Sequence, residues 1–171
     1  DGDVQLLILT ARPELETNRR LAEAAHALGI TCRTIDATRV TAARLPKPAL
    51  RYGSEDLLDT PRHAVLPRVG NWRPESVLAA LEVAVSSGSS TVNPPQAIRI
   101  GRDHWLTVQA LAEAGVPVPV TVAGSDPEEL AATAADIVGF PAVVKQRRSR
   151  MGVGVVRCVG RDHLEAVLDT L

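Results

Sequence analysis

Residues 4–36 read VQLLILTARPELETNRRLAEAAHALGITCRTID, and this stretch decides the fold class. Val4 to Thr10 is a near-continuous apolar run, the pattern of a strand covered on both faces. Glu14 to Leu28 reads as a helix, because Leu15, Leu21, Ala24, Ala25 and Leu28 recur near a period of 3.6 and Gly29 suits the stop. Thr31 to Asp36 reads as a second strand. Strand, helix and strand in so short a span make a parallel βαβ unit the economical solution, and the class α/β. The turn Thr10-Ala11-Arg12-Pro13 lacks Gly-x-Gly-x-x-Gly, so dinucleotide binding is disfavoured despite the βαβ pattern.

Downstream, Thr38 to Thr60 is weakly patterned around Pro46, Pro48 and Gly53, and is expected to be loop with a short edge strand near Leu50–Tyr52. His63 to Val69 is another apolar run, and Pro74 to Ser86 has helical spacing with proline at a tolerated first-turn position. Ser86 to Ser90 is a small-residue turn, and a second region is expected from residue 95, giving domains 1–94 and 95–171. There Arg102 to Ala114 reads as a helix with Asp103 in its first turn, and the spaced prolines of Val116–Val120 keep that segment extended. Ser125 with Glu128 reads as a capping box opening a helix to about Val138. Ala142–Lys145 and Gly154–Val159 read as strands, and Asp162–Leu171 as a helix.

The composition excludes several classes. With 45% hydrophobic and 23% charged residues, the 171-residue chain sits among globular domains rather than disordered ones. No run approaches the roughly 18 apolar residues of a membrane span, and a formal net charge of −1 argues against non-specific nucleic-acid binding. Two cysteines, Cys32 and Cys158, make no disulfide framework or metal knuckle, so a reducing cytoplasm is the expected compartment. Four aromatic residues leave the core to Val, Leu, Ile and Ala, and only two of the 19 basic residues, Lys47 and Lys145, are lysine.

Lys145 stands at a special place. Pro141 to Val156, PAVVKQRRSRMGVGVV, is an apolar strand ending in lysine, a cationic loop, and two glycines leading into a second strand. Glycines let backbone N–H groups approach phosphate oxygens, and an ammonium at a strand end is a compact point charge suited to phosphate. The spacing is not that of a Walker A loop. A surface hairpin with a basic tip and a solvated lysine is the alternative on these residues alone.

The segments ILTARPELETNRRLAEAAHALGITCRTIDATR, HAVLPRVG, STVNPPQAIRIGRDHWLTVQALAEAGVPVPVT and PAVVKQRRSRMGVGVV follow one another in an order that resembles RimK-type ATP-grasp ligases, the ribosomal-protein glutamate ligase family. The resemblance implies a pre-ATP-grasp βαβ (Rossmann-like) domain followed by the first part of an ATP-grasp fold. It implies an ATP-dependent carboxylate–amine ligase, using Mg2+, that forms an acyl phosphate and joins an amino acid such as glutamate to a peptide or protein carboxylate. By resemblance Lys145 is the nucleotide-binding lysine, and Arg150, Met151, Gly152 and Gly154 belong to the loop over the phosphates. Family members are often homo-oligomers. The helix-opening Arg-Asp-x is followed here by His104 where the family has lysine, and Arg147, Arg148, Ser149 and Arg150 fill a loop that usually carries small neutral residues. Those arginines could strengthen phosphate binding, recruit an anionic partner or only solvate a mobile tip. Arg12 and Arg68, at or near the C-terminal ends of parallel strands, are substrate-binding candidates. The expected magnesium ligands and adenine clamp lie beyond Leu171, so the chain reads as a piece of a longer enzyme. A non-catalytic nucleotide- or partner-binding module derived from such a ligase is the alternative.

Overall fold

A computed structural model describes residues 5–59, 63–149 and 152–170. Arg150 and Met151, both expected in the phosphate loop, lie outside the described residues, as do the expected segment ends Val4, Thr60 and Leu171. The chain divides into two compact units, Asp1–Ile98 and Arg99–Leu171.

In the first unit, β1 (Gln5–Thr10), α1 (Glu16–Ala27) and β2 (Thr31–Asp36) form the expected βαβ unit. β6 (His63–Arg68) lies on the other side of β1, and β7 (Ser90–Thr91) completes a parallel sheet of order β2-β1-β6-β7. The central position of β1 explains its apolar run: Leu7, Ile8 and Leu9 are all buried, although their side chains alternate between two faces. α2 (Pro74–Ser86) buries Val77, Leu78, Ala80, Leu81, Val83 and Ala84 and leaves one side, Glu75, Ala79, Glu82 and Ser86, exposed, so most of its surface lies against the core. α1 is a surface helix that buries only Asn18 and Ala25. Leu15 and Leu28, expected on its apolar face, are instead the flanking cap residues and are 43% and 77% exposed. The helix starts at Glu16 and ends at Ala27, so neither leucine lies on the helical stripe.

The stretch after β2 is more ordered than its weak pattern suggests. β3 (Val40–Ala43), β4 (Ala49–Tyr52) and β5 (Glu55–Asp56) form an antiparallel meander in place of a loop with one edge strand. Gly53 turns the β4–β5 hairpin at φ +63°, and the Asp56 carboxylate accepts from the Leu50 and Leu58 amides at 2.9 and 3.1 Å. This fastening places Leu50 and Leu57 in the same core as Leu7, Leu9, Val65 and Leu81.

α3 (Pro95–Gly101) carries the chain into the second unit. There α4 (His104–Glu113), α5 (Pro127–Ile137), the hairpin β8 (Ala142–Lys145) and β9 (Val155–Cys158), and α6 (Arg161–Leu168) follow in order. The buried core is small: Ala131, Ala134, Cys158 and Leu164, flanked by partly buried Phe140, Val144, Val156 and Val167. Two expected helix starts move. α4 opens at His104 because Asp103 stays extended and caps it, and α5 opens at Pro127 because Asp126 caps it, its side chain accepting from the Glu129 amide at 2.9 Å. The expected Ser125–Glu128 box is thus displaced by one residue. Asp126 combines a charged acceptor with Pro127 at the first helical position, where the proline needs no hydrogen-bond partner.

Candidate functional site

β8 and β9 pair antiparallel, Val144 opposite Val156 and Lys145 opposite Val155. Val144 and Val156 turn toward the small core, which leaves Lys145 exposed at the end of its strand. Among the described residues no carboxylate pairs with Lys145. Gly152 and Gly154 both take φ +75°, a region that side chains with a Cβ adopt only under strain. At Gly154 a Cβ would also come within 3.2 Å of the exposed Gln146 side chain, which would have to shift slightly, so it is the positive φ that calls for glycine here. The expectation that the second strand starts at Gly154 shifts for the same reason, and regular pairing begins at Val155.

The segment between lysine and glycines is anchored on the N-terminus of α4. Asp103 is 1% exposed. Its Oδ1 accepts from the Trp105 and Leu106 amides at 3.0 and 3.1 Å, capping the helix, and from Arg147 Nε at 3.2 Å. Its Oδ2 accepts from Arg147 Nη2 at 2.8 Å and lies 3.6 Å from Arg148 Nε. The His104 amide donates to the Arg147 carbonyl at 2.8 Å, and His104 Nε2 lies 3.2 Å from Ser149 Oγ. Burial opposes ionisation of Asp103, but the Arg147 hydrogen bond, the capping amides and the nearby guanidinium outweigh it and hold the carboxyl below its usual range.

Of the residues singled out in this unit, Lys145, Gly152 and Gly154 therefore share one hairpin, and His104 meets its loop through Ser149. Arg147 and Arg148 meet an acid of their own chain, an arrangement not among those expected for the loop arginines. Asp103 is readable as a helix-opening residue, but its second role as anchor joins positions 44 apart and leaves no local signal.

The other two candidates belong to the first unit. Thr10, Asp36 and Arg68 are in register at the C-terminal ends of β1, β2 and β6, and Arg12 follows directly after β1. β1 and β6 flank the point where the chain leaves in opposite directions along the sheet, the place where open α/β sheets hold ligands. The Arg12 amide donates to Thr10 Oγ1 at 3.1 Å and its carbonyl accepts from Asn18 Nδ2 at 2.8 Å, so two buried side chains brace this turn. The Arg12 guanidinium itself pairs with Glu14, whose carboxyl is lowered chiefly by that hydrogen bond. Arg68 is exposed, with no ionic partner among the described residues.

A family model described as the RimK PreATP-grasp domain matches residues 4–98, and one described as the RimK-like ATP-grasp domain matches 101–171. The chain belongs to the RimK-type ATP-grasp family. A probable alpha-L-glutamate ligase of Thioalkalivibrio sulfidiphilus is 33% identical over 169 residues, covering 96% of this chain and 54% of that protein. One of Mannheimia succiniciproducens is 31% identical over 176 residues, covering 98% and 58%. This RimK-type chain thus spans about half the length of the curated relatives it matches. Among solved structures, a RimK domain ATP-grasp protein of Sphaerobacter thermophilus superposes with a TM-score of 0.70 at 23% identity, over 97% of this chain and 58% of that one. N5-carboxyaminoimidazole synthase of Aspergillus clavatus, in complex with ADP and 5-aminoimidazole ribonucleotide, gives 0.66 at 20%, over 99% and 44%. These two likenesses bear on the fold, which is the pre-ATP-grasp parallel sheet followed by an α/β ATP-grasp part.

The RimK-type hairpin fits a polyphosphate: an exposed lysine, glycine amides free of Cβ shielding, and two arginines sharing one carboxylate. For magnesium there is no such fit, since among the described residues no group of three or more His, Cys, Asp or Glu could hold a metal ion. No helix among them is long and apolar enough to cross a membrane.

Proposed function

We propose that this chain carries the phosphate-binding half of the nucleotide site of an ATP-dependent carboxylate–amine ligase acting in the cytoplasm. The observation that carries the reading is an exposed lysine, Lys145, without a carboxylate partner among the described residues, closing a strand directly before a loop whose two glycines lie at φ +75°, in a chain of RimK type. Lys145 supplies a point charge to the phosphates of ATP, and the loop around Gly152 and Gly154 supplies amides. Arg150 and Met151 belong to that loop by position, and His104 stands where the family has lysine. The ligase class converts a carboxylate to an acyl phosphate at the expense of ATP, and an amine then displaces the phosphate. Transfer of this kind depends on positioning and on neutralising charge at the phosphoryl group, which is the contribution of these residues. The relatives' names favour glutamate as the amino acid added, and the acceptor in this reading is a peptide or protein carboxylate. Arg12 and Arg68, cations at the switch point of the first unit's sheet, suit an acidic substrate.

Calorimetry of ATP binding with Lys145→Ala tests the reading. The expected result is a loss of about tenfold to a hundredfold in affinity, the weight of a charge-assisted contact. Undiminished binding would remove Lys145 from the site and the central assignment with it. ATP bound without any transfer to an amine, in the presence of magnesium, glutamate and an acidic peptide, would support the non-catalytic module instead. That second reading draws on His104, whose ring meets Ser149.

A further inference from the structure

We infer that Arg147, oriented by the buried carboxylate of Asp103, is a second phosphate-binding cation of the nucleotide site. The inference rests on the nucleotide reading above and adds to it a residue that the loop's composition left ambiguous.

Charge comes first. The described part of the loop and its strand end carry Lys145, Arg147 and Arg148, and one carboxylate, Asp103, faces the two arginines. That carboxylate is also consumed by two helix amides, so it balances one positive charge at most. A surplus of like charge held within a few residues is stable when an anion joins it. Arg148, with its side chain 77% exposed and 3.6 Å from the acid, is free to turn into water.

Geometry separates Arg147 from Arg148. A guanidinium presents five N–H donors in a rigid plane. Arg147 uses Nε and Nη2, the side-on pair, to grip the two oxygens of Asp103 at 3.2 and 2.8 Å. Nη1 and the outer hydrogen of Nη2, the end-on pair, remain available, and the side chain is 57% exposed. Asp103 is fixed by capping α4, and the Arg147 carbonyl is fixed by the His104 amide at 2.8 Å. Both ends of the arginine are therefore held, and its open edge is a preorganised fork for a second anion, of the planar bidentate kind that suits phosphate. His104, in the first turn of α4, has its ring against Ser149. Asp103 acts through Arg147 and is a positioning residue.

The test is titration of the chain with ATP and, as a phosphate-only probe, inorganic tripolyphosphate, at several salt concentrations. Four variants are compared: Arg147→Leu, Arg147→Lys, Asp103→Asn and Lys145→Ala. Arg147→Leu is expected to weaken both ligands by about tenfold to a hundredfold and to flatten the salt dependence. Arg147→Lys keeps the charge and loses the fork, so the salt dependence stays while affinity falls severalfold. Asp103→Asn keeps a good cap but releases the arginine, and is expected to weaken ATP severalfold with the helix intact. An unchanged salt dependence in Arg147→Leu overturns the inference, since a purely structural loop residue leaves that slope alone. Normal ATP affinity in Arg147→Leu and Arg147→Lys, with Lys145→Ala defective, overturns Arg147 alone and leaves the nucleotide reading standing. Normal affinity in all four variants overturns both.

Discussion

The two units of this chain are stabilised in different ways. In Asp1–Ile98 the apolar strand β1 lies in mid-sheet, with α2 buried on six positions and thirteen buried residues in one cluster. In Arg99–Leu171 the buried cluster is four residues, two of them alanine, and α4 buries none of its own. What orders the loop end of the second unit is polar: a carboxylate that caps a helix and grips a loop at once. The first unit is a scaffold held by area, which is non-directional. The second holds its loop by a few directional bonds, the regime in which binding loops are both precise and locally weak.

The largest expected effect contrasts the cores. Leu81→Ala, at a fully buried position, is expected to destabilise the first unit by about 4 kcal/mol. Leu164→Ala, whose neighbours are mostly half-exposed and can collapse, is expected to cost the second about 2 kcal/mol. Each unit has one tryptophan, Trp72 and Trp105, so denaturant titrations of the Trp105→Phe and Trp72→Phe backgrounds report the units separately. The reverse order of costs breaks the contrast. Next comes Asp103→Ala, expected to destabilise the second unit by about 2 kcal/mol through loss of a cap and of an arginine's partner. The Trp72 transition should not move. Gly154→Ala should follow at about 1–2 kcal/mol, the cost of a Cβ in the left-handed region.

The pH dependence sharpens the same point. Asp103 has its carboxyl lowered in the folded chain, so its contribution is present above the ordinary carboxylate value of 3.8 and is lost as pH falls through the lower folded value. Acid titration followed at Trp105 should therefore show a loss of stability below about pH 4 that Asp103→Asn makes shallower. The smallest effect is expected from Glu14→Gln, which breaks the exposed pair with Arg12. Its thermal midpoint should match the parent's, because exposed pairs contribute little. A clear shift there would mean that the Arg12 turn is held by charge rather than by Thr10 and Asn18.

Much of the scaffold was legible from periodicity. β1 and α2 lie close to their apolar patterns, since a mid-sheet strand and a helix buried at six positions write themselves as apolar-rich runs. The meander was not legible: β3 and β4 are short, mostly half-buried apart from Leu50, and paired across a turn, so their order comes from partners and from Asp56, not from alternation. The starts of the expected helices were legible to within a residue or two, and the errors at Ser125 and Arg102 arose where an adjacent aspartate offered the better cap, whereas the short helix α3 was not expected at all. In the candidate site, Lys145, Gly152 and Gly154 stand out because each occupies a position that its residue type suits. Arg147 and Asp103 do not stand out, because a bond between residues 44 apart has no trace in either local pattern.

By itself the sequence determined the parallel βαβ start, the lysine-ended strand before two glycines, and the RimK-type order of segments. These rest on local periodicity and on residue types with restricted conformations. Only the tertiary structure decided that the loop arginines turn to a buried carboxylate, that His104 faces Ser149, and that the segment after β2 is a sheet. Each of these depends on which distant groups meet once the chain is compact. A side chain takes its partner from space, and local sequence records only its neighbours along the chain.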